Sequence, residues 1–106
     1  IYSAYRTNAK KRCIEFDVEI ADFVILAEQK CFYCGSLPSN KINSKELVGE
    51  WVYNGIDRID NNKPYIKENL VPCCKKCNFF KSNHTKKDFL DHVKKIYEYN
   101  KLQDER

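Results

Sequence analysis

Two Cys-x-x-Cys pairs, Cys31-Phe32-Tyr33-Cys34 and Cys74-Lys75-Lys76-Cys77, constrain this chain more than any other feature. Disulfide frameworks rarely place cysteines in such paired turns, whereas tetrahedral zinc sites do, because each tight turn lets two thiolates converge on one ion. Cys31, Cys34, Cys74 and Cys77 are therefore the candidate ligands of a structural zinc. Cys74 is preferred to Cys73 because it completes the two-residue spacing, which leaves Cys13 and Cys73 as thiols. Thirty-nine residues separate Cys34 from Cys74, too many for a small finger or ribbon. An ion held this way closes the ends of a substantial insert, and function is expected on that insert or beside its closure. A domain of 106 residues buries only about two-thirds of the surface its unfolded chain exposes. A structural zinc is worth on the order of 10–16 kcal/mol in finger peptides, as much as a whole domain's stability. The metal-free chain is expected to be largely unfolded.

Charged residues at 32% and hydrophobic ones at 42% suit a globular chain, not a disordered one. Nineteen Lys and Arg against fifteen Asp and Glu give a net +4, compatible with a polyanionic partner without defining one. The longest apolar run, Phe23 to Ala27, is far short of a bilayer span, so no membrane partner is expected. No secretory leader is legible, and thiols kept for a metal suit a reducing compartment. An intracellular setting is the expectation.

The sequence divides into a basic lead-in and helix (1–30), a knuckle-bounded core (31–84) and a C-terminal helix (85–106), all within one domain. Residues 4–12 read as a short basic helix, either a solvated terminus or an arm that faces phosphates. Asp17 reads as the cap of a helix bearing Ile20, Phe23, Val24 and Ala27 on one face. Residues 36–44, polar and containing Pro38, read as a loop. Residues 50–59 read as a strand bent at Asn54-Gly55. The run Asp60-Asn61-Asn62-Lys63-Pro64 is a turn, and 69–72 returns as a second strand. The second knuckle then opens a short helix to about Ser82. Thr85, with Asp88 three residues on, caps a final helix. Its stripe of Phe89, Leu90, Val93, Ile96 and Tyr97 reads as core packing.

Within the insert stand Asp57-Arg58-Ile59-Asp60, then Glu68-Asn69-Leu70-Val71-Pro72, then Cys77-Asn78-Phe79-Phe80-Lys81-Ser82. In this order these elements resemble the HNH endonuclease family, phage and restriction members included, over roughly residues 2–97. The resemblance implies a small α+β fold. Its core is a ββα-metal hairpin and helix stapled by the four-cysteine zinc, with flanking helices. It implies metal-dependent hydrolysis of phosphodiester bonds in double-stranded DNA, using Mg²⁺ or another divalent ion. It assigns Asp57 and Asn78 as ligands of that catalytic ion and Asn69 as a hydrogen-bonding residue that orders the hairpin. Most members carry a histidine base directly after the acidic residue, and here that position is Arg58. Arginine stays protonated, so it can bind phosphate but cannot act as a base. In an extended strand, moreover, Asp57 and Arg58 point to opposite faces.

Members similar in this respect use a tyrosine, which makes Tyr33 the leading base and Tyr53 the second. A phenol needs its pKa of about 10 lowered to act near neutrality. His84 and His92 are poorer candidates. Lys81, one turn beyond Asn78, could reach a phosphate as a point charge. Lys75, Lys76, Arg58 and Arg12 complete the expected DNA-contacting set. A double-strand cut would call for a homodimer. The alternatives are a zinc-stabilised DNA-binding module without cleavage, and a zinc-dependent protein-interaction domain.

Overall fold

The computed structural model describes residues 1–43 and 49–104. Among these the chain is a small mixed α/β protein with four α-helices and three two-stranded sheets. No helix among the described residues is long and apolar enough to cross a membrane.

The lead-in forms α1 (Tyr2–Lys11). It is not a loose terminus. Tyr2, Tyr5 and Ala9 recur at helical spacing and turn one face inward. The Tyr2 and Tyr5 rings lie 5.4 and 5.6 Å from that of Phe23. The Tyr2 hydroxyl donates to the Val18 carbonyl at 2.6 Å. Arg6, Lys10, Lys11 and Arg12 are left exposed on the outer face.

Asp17 does not cap the next helix. Together with Phe16 it forms β1 (Phe16–Asp17), parallel to β5 (Tyr65–Ile66). The ladder uses those residues, so α2 (Ile20–Ala27) starts after Glu19. Phe23 and Ala27 are buried and Val24 is half-buried, but Ile20 stays exposed.

The expected loop over 36–44 is strand in part. Asn40–Asn43 form β2, antiparallel to β3 (Glu50–Tyr53), and Ser44 lies outside the described residues. Pairing with a distant strand overrides the polar local composition. The expected bent strand over 50–59 is two strands with different partners, because β4 (Gly55–Arg58) pairs antiparallel with β6 (Leu70–Cys73). A 3₁₀ turn, Lys67–Asn69, precedes β6. From β6 the chain passes through Cys74 directly into α3 (Lys75–Lys81).

Asn54, fully buried, is the pivot between β3 and β4. Its amide N–H donates to the Ala27 carbonyl at 2.7 Å, and its side-chain NH₂ donates to the carbonyls of Gln29 and Ser36. One side chain thus ties the end of α2 to the first knuckle. The β4–β6 pair is closed on both outer edges at its Ile56–Pro72 step. The Ile56 N–H donates to the Tyr5 hydroxyl at 3.1 Å, and the Pro72 carbonyl accepts from the Phe32 N–H at 2.9 Å. Tyr5 approaches so closely that a Cβ on Gly55 would stand 2.5 Å from its hydroxyl. Beneath the sheet lies the core of Ala9, Val18, Phe23, Ala27, Ile56, Tyr65 and Leu70.

α4 (Lys86–Asp104) begins as expected, with the Thr85 hydroxyl accepting the Asp88 N–H at 3.0 Å. Its apolar stripe, however, is not core packing. None of its described residues is buried, and Leu90, Val93, Ile96 and Tyr97 are exposed. The core is filled from α1, α2 and the strands, so only Phe89, at the root of the helix, is packed inward. Its ring meets that of Tyr33 edge-on at 5.8 Å.

Replacing Asn54 with Ala empties a fully buried position and removes the side-chain donor to the Gln29 carbonyl, while the Ser36 carbonyl keeps the Cys31 N–H. We expect a loss of about 1–3 kcal/mol in urea unfolding of the zinc-loaded protein, with zinc stoichiometry unchanged.

Candidate functional site

The four-cysteine cluster, a candidate metal centre, follows from two turns and one helix start. In the first knuckle the Gly35 N–H donates to the Cys31 carbonyl at 2.9 Å, and Gly35 adopts φ 76°, a left-handed conformation suited to glycine. In the second, Cys74 caps α3, its sulfur accepting the Cys77 N–H at 3.4 Å. The result is that the sulfurs of Cys31, Cys34, Cys74 and Cys77 all lie within 4.8 Å of one another. Four sulfurs bound to zinc at about 2.3 Å would stand about 3.8 Å apart, and Cys34 and Cys74 stand 3.6 Å apart. The cluster is close enough to hold a metal ion, and an all-thiol set of this size fits zinc. Hydrogen bonds from the Ser36 side chain and backbone pull the Cys34 thiol down to about 6, whereas burial pushes Cys74 and Cys77 up. Cys73, opposite Gly55 in the ladder, is buried outside the cluster. Burial, reinforced by the Asp57 charge, holds its thiol protonated. Cys13 is exposed at the end of α1.

Beside the metal centre, the pleat of β4 sorts the candidate residues. Ile56 and Arg58 face the core side, while Gly55 and Asp57 face α3. Asp57 is 9% exposed. Its Oδ2 accepts the Tyr33 hydroxyl at 2.6 Å and pairs with the Lys81 ammonium at 3.0 Å. One group from each knuckle region thus meets the carboxylate of the first hairpin strand. The Tyr33 ring is held edge-on between Phe32 and Phe89. Burial first, and then the bond to Asp57, raise the Tyr33 pKa above its ordinary value. This is the reverse of what the tyrosine-base expectation needs.

Two residues expected to contact DNA point elsewhere. Arg58 is 8% exposed. Its guanidinium donates to the carbonyls of Asn61 and Lys63 at 3.0 and 2.9 Å and lies over the Tyr65 ring. It closes the β4–β6 connection from the core side, as strand alternation dictates. Lys81 is 0% exposed, because its position on α3 turns it toward Asp57 and the Arg58 carbonyl, 3.4 Å away. In this arrangement neither reaches a phosphate.

Asn69 lies across the same connection. Its Oδ1 accepts the Asp60 N–H, and its NH₂ donates to the carbonyls of Asp60 and Pro64, all at 3.0 to 3.1 Å. Asn78 is exposed and lines an open cleft with Asn8, Lys41, Tyr53, Gly55 and Lys75; Asp57 is not among the described residues lining it. Tyr53, stacked on Trp51 at 4.9 Å, belongs to that cleft and not to the Asp57 cluster. His84 and His92 line an apolar groove along α4 with Phe80 and Val93. Lys75, Lys76 and Arg12 are exposed and free to meet a polyanion. The sequence reading missed Tyr5 and Asn54. Tyr2, Tyr5 and Ala9 at helical spacing carried the signal for α1, overshadowed by its lysines and arginines. Asn54 carried none beyond a turn propensity.

Over 83 residues the chain is 33% identical to an uncharacterized protein of Acanthamoeba polyphaga mimivirus, covering 78% of this chain and 14% of the relative. Over 87 residues it is 30% identical to an uncharacterized 29.0 kDa protein from the dda-modA intergenic region of Enterobacteria phage T4, covering 81% and 32%. The chain therefore spans less than a third of the length of either relative. No family model and no solved structure matches it.

We expect one zinc per chain by metal analysis. Cys77→Ser is expected to lose the ion and the cooperative unfolding transition, whereas Cys73→Ser keeps both. Loss of zinc from Cys73→Ser would reassign the ligand set.

Proposed function

We propose that this chain is a DNA endonuclease of the HNH type, with the β4–β6 hairpin and α3 forming its ββα unit beside a structural zinc. The observation that carries this reading is the 2.6 Å bond between the Tyr33 hydroxyl and Asp57. The resemblance marks Asp57 as the acidic residue of the first strand and Tyr33 as the leading stand-in for the histidine, and the two converge from 24 positions apart. Exposed Lys75 and Lys76 on the first turn of α3, with Arg12 beyond α1, supply cations for a DNA backbone. A double-strand cut would require two copies of the site, and reduced thiols suit an intracellular setting.

The resemblance also implies a catalytic divalent ion on Asp57 and Asn78. As arranged, these residues do not fit one. The Asp57 Oδ2 is already shared by an ammonium and a phenol, and Asn78 opens onto the neighbouring cleft. No step is therefore derived through that ion. The residues themselves hold a proton on Tyr33 and a negative charge on Asp57. Of the two, Asp57 is the group able to take a proton from an attacking water, and Tyr33 the group able to give one.

The Lys81–Asp57 ion pair favours a second reading, a zinc-stabilised DNA-binding module that does not cleave. A plasmid assay separates the two. Zinc-loaded protein is incubated with supercoiled plasmid without added divalent ion, with Mg²⁺ and with Mn²⁺. An endonuclease nicks it, and Asp57→Ala lowers the rate by roughly 10²–10⁴-fold, the usual weight of a general acid or base. Tyr33→Phe is expected to impair nicking more than Tyr53→Phe. Binding with no nicking under any condition would leave the binding module. Absence of binding would remove both readings. Lys75→Ala should reduce the salt dependence of binding by about one phosphate contact.

A further inference from the structure

The Lys81 side chain is the most unusual group in the molecule. Lysine is almost never fully buried without a partner, yet here it is 0% exposed. Its ammonium carries three donors. It lies 3.0 Å from Asp57 Oδ2 and 3.4 Å from the Arg58 carbonyl, with the Tyr33 ring centroid at 5.9 Å. These neighbours are an anion, a carbonyl dipole and an aromatic face, all of which attract a cation. The surroundings form a cation site, and a side chain of the protein fills it.

We infer that Lys81 is the resident cation of the Asp57 carboxylate, and that a divalent ion binds there only by displacing it. A magnesium ion needs oxygen ligands at about 2.0–2.1 Å in an octahedral shell, most of them waters. The ammonium already holds Oδ2 of the carboxylate, so an ion on either carboxylate oxygen would stand close beside it. Two cations on one carboxylate repel each other, and a buried location screens that repulsion poorly. Lys81 is held from below by α3, whose preceding turn contains the zinc ligand Cys77. The pair is therefore built into the scaffold. Without a divalent ion the site is charge-neutral and closed. With one, Lys81 must leave Asp57.

This inference deepens the proposed reading, because the ion concerned is the one that reading implies. Its test measures ion binding rather than cleavage, so the two can fail separately. Mn²⁺ is titrated into zinc-loaded wild type, Lys81→Met, Asp57→Asn and the double variant, with free Mn²⁺ followed by its paramagnetic resonance. Lys81→Met is expected to bind one Mn²⁺ at least about tenfold more tightly than wild type, a difference of about 1.4 kcal/mol. The double variant is expected to lose that gain. Equal affinity in wild type and Lys81→Met, or a gain that survives in the double variant, overturns the inference.

If Lys81→Met does not fold, wild type alone decides. Mg²⁺ is added while the Lys81 side-chain nitrogen and the Asp57 carboxyl carbon are followed by NMR. Both signals unmoved, or both moving together, support a resident cation. An Asp57 signal that shifts while Lys81 stays in place overturns it.

Discussion

Four sulfurs gathered within 4.8 Å are the constraint from which the remaining geometry follows. Thiolates so close repel one another unless a cation lies between them, and binding energy of that kind is folding energy. The closure does more than join the ends of an insert. Tyr33 lies inside the first knuckle, and Lys81 lies one turn beyond the second. Fixing the cysteine cluster therefore fixes both groups that meet Asp57. The carboxylate itself arrives from β4, whose register against β6 sets which face it occupies.

The Asp57 cluster is electrostatically self-contained. A carboxylate, an ammonium and a phenol satisfy one another with little help from solvent. Removing one partner of a buried pair leaves an uncompensated charge, which is far more costly than the pair is beneficial. Such a cluster is a poor choice if stability alone is the goal, since apolar residues of similar volume often serve as well. Its presence in a domain this small is the physical argument behind the proposed function.

What the sequence disclosed divides along the range of the forces involved. The four-cysteine cluster was legible because Cys-x-x-Cys spacing encodes a local turn and needs no knowledge of the fold. The Thr85 cap and the start of α3 were legible for the same reason. Tyr33 and Asp57 could be singled out, but no local pattern could say that they touch. The surroundings of Arg58 and Lys81 were hidden, because a charged side chain in sequence suggests water, and only tertiary packing encloses it. The apolar stripe of α4 shows the converse. Periodicity identifies a face, not what covers it, and here two half-buried tyrosines of the basic lead-in help to close the core instead.

The closed edges of the β4–β6 pair have a consequence for the chain's behaviour in company. An unpaired strand edge is a template for another chain's backbone, and small sheets are especially open to such recruitment. Larger proteins cover the edge with further strands. Here, at the Ile56–Pro72 step, a tyrosine hydroxyl takes the amide on one side and a knuckle amide takes the carbonyl on the other. Pro72, which has no N–H to offer, reinforces the effect. The hairpin is thus shielded from edge-to-edge aggregation by two single contacts, one of which depends on the fold of the metal knuckle. Metal loss would therefore expose a sticky edge as well as loosen the fold.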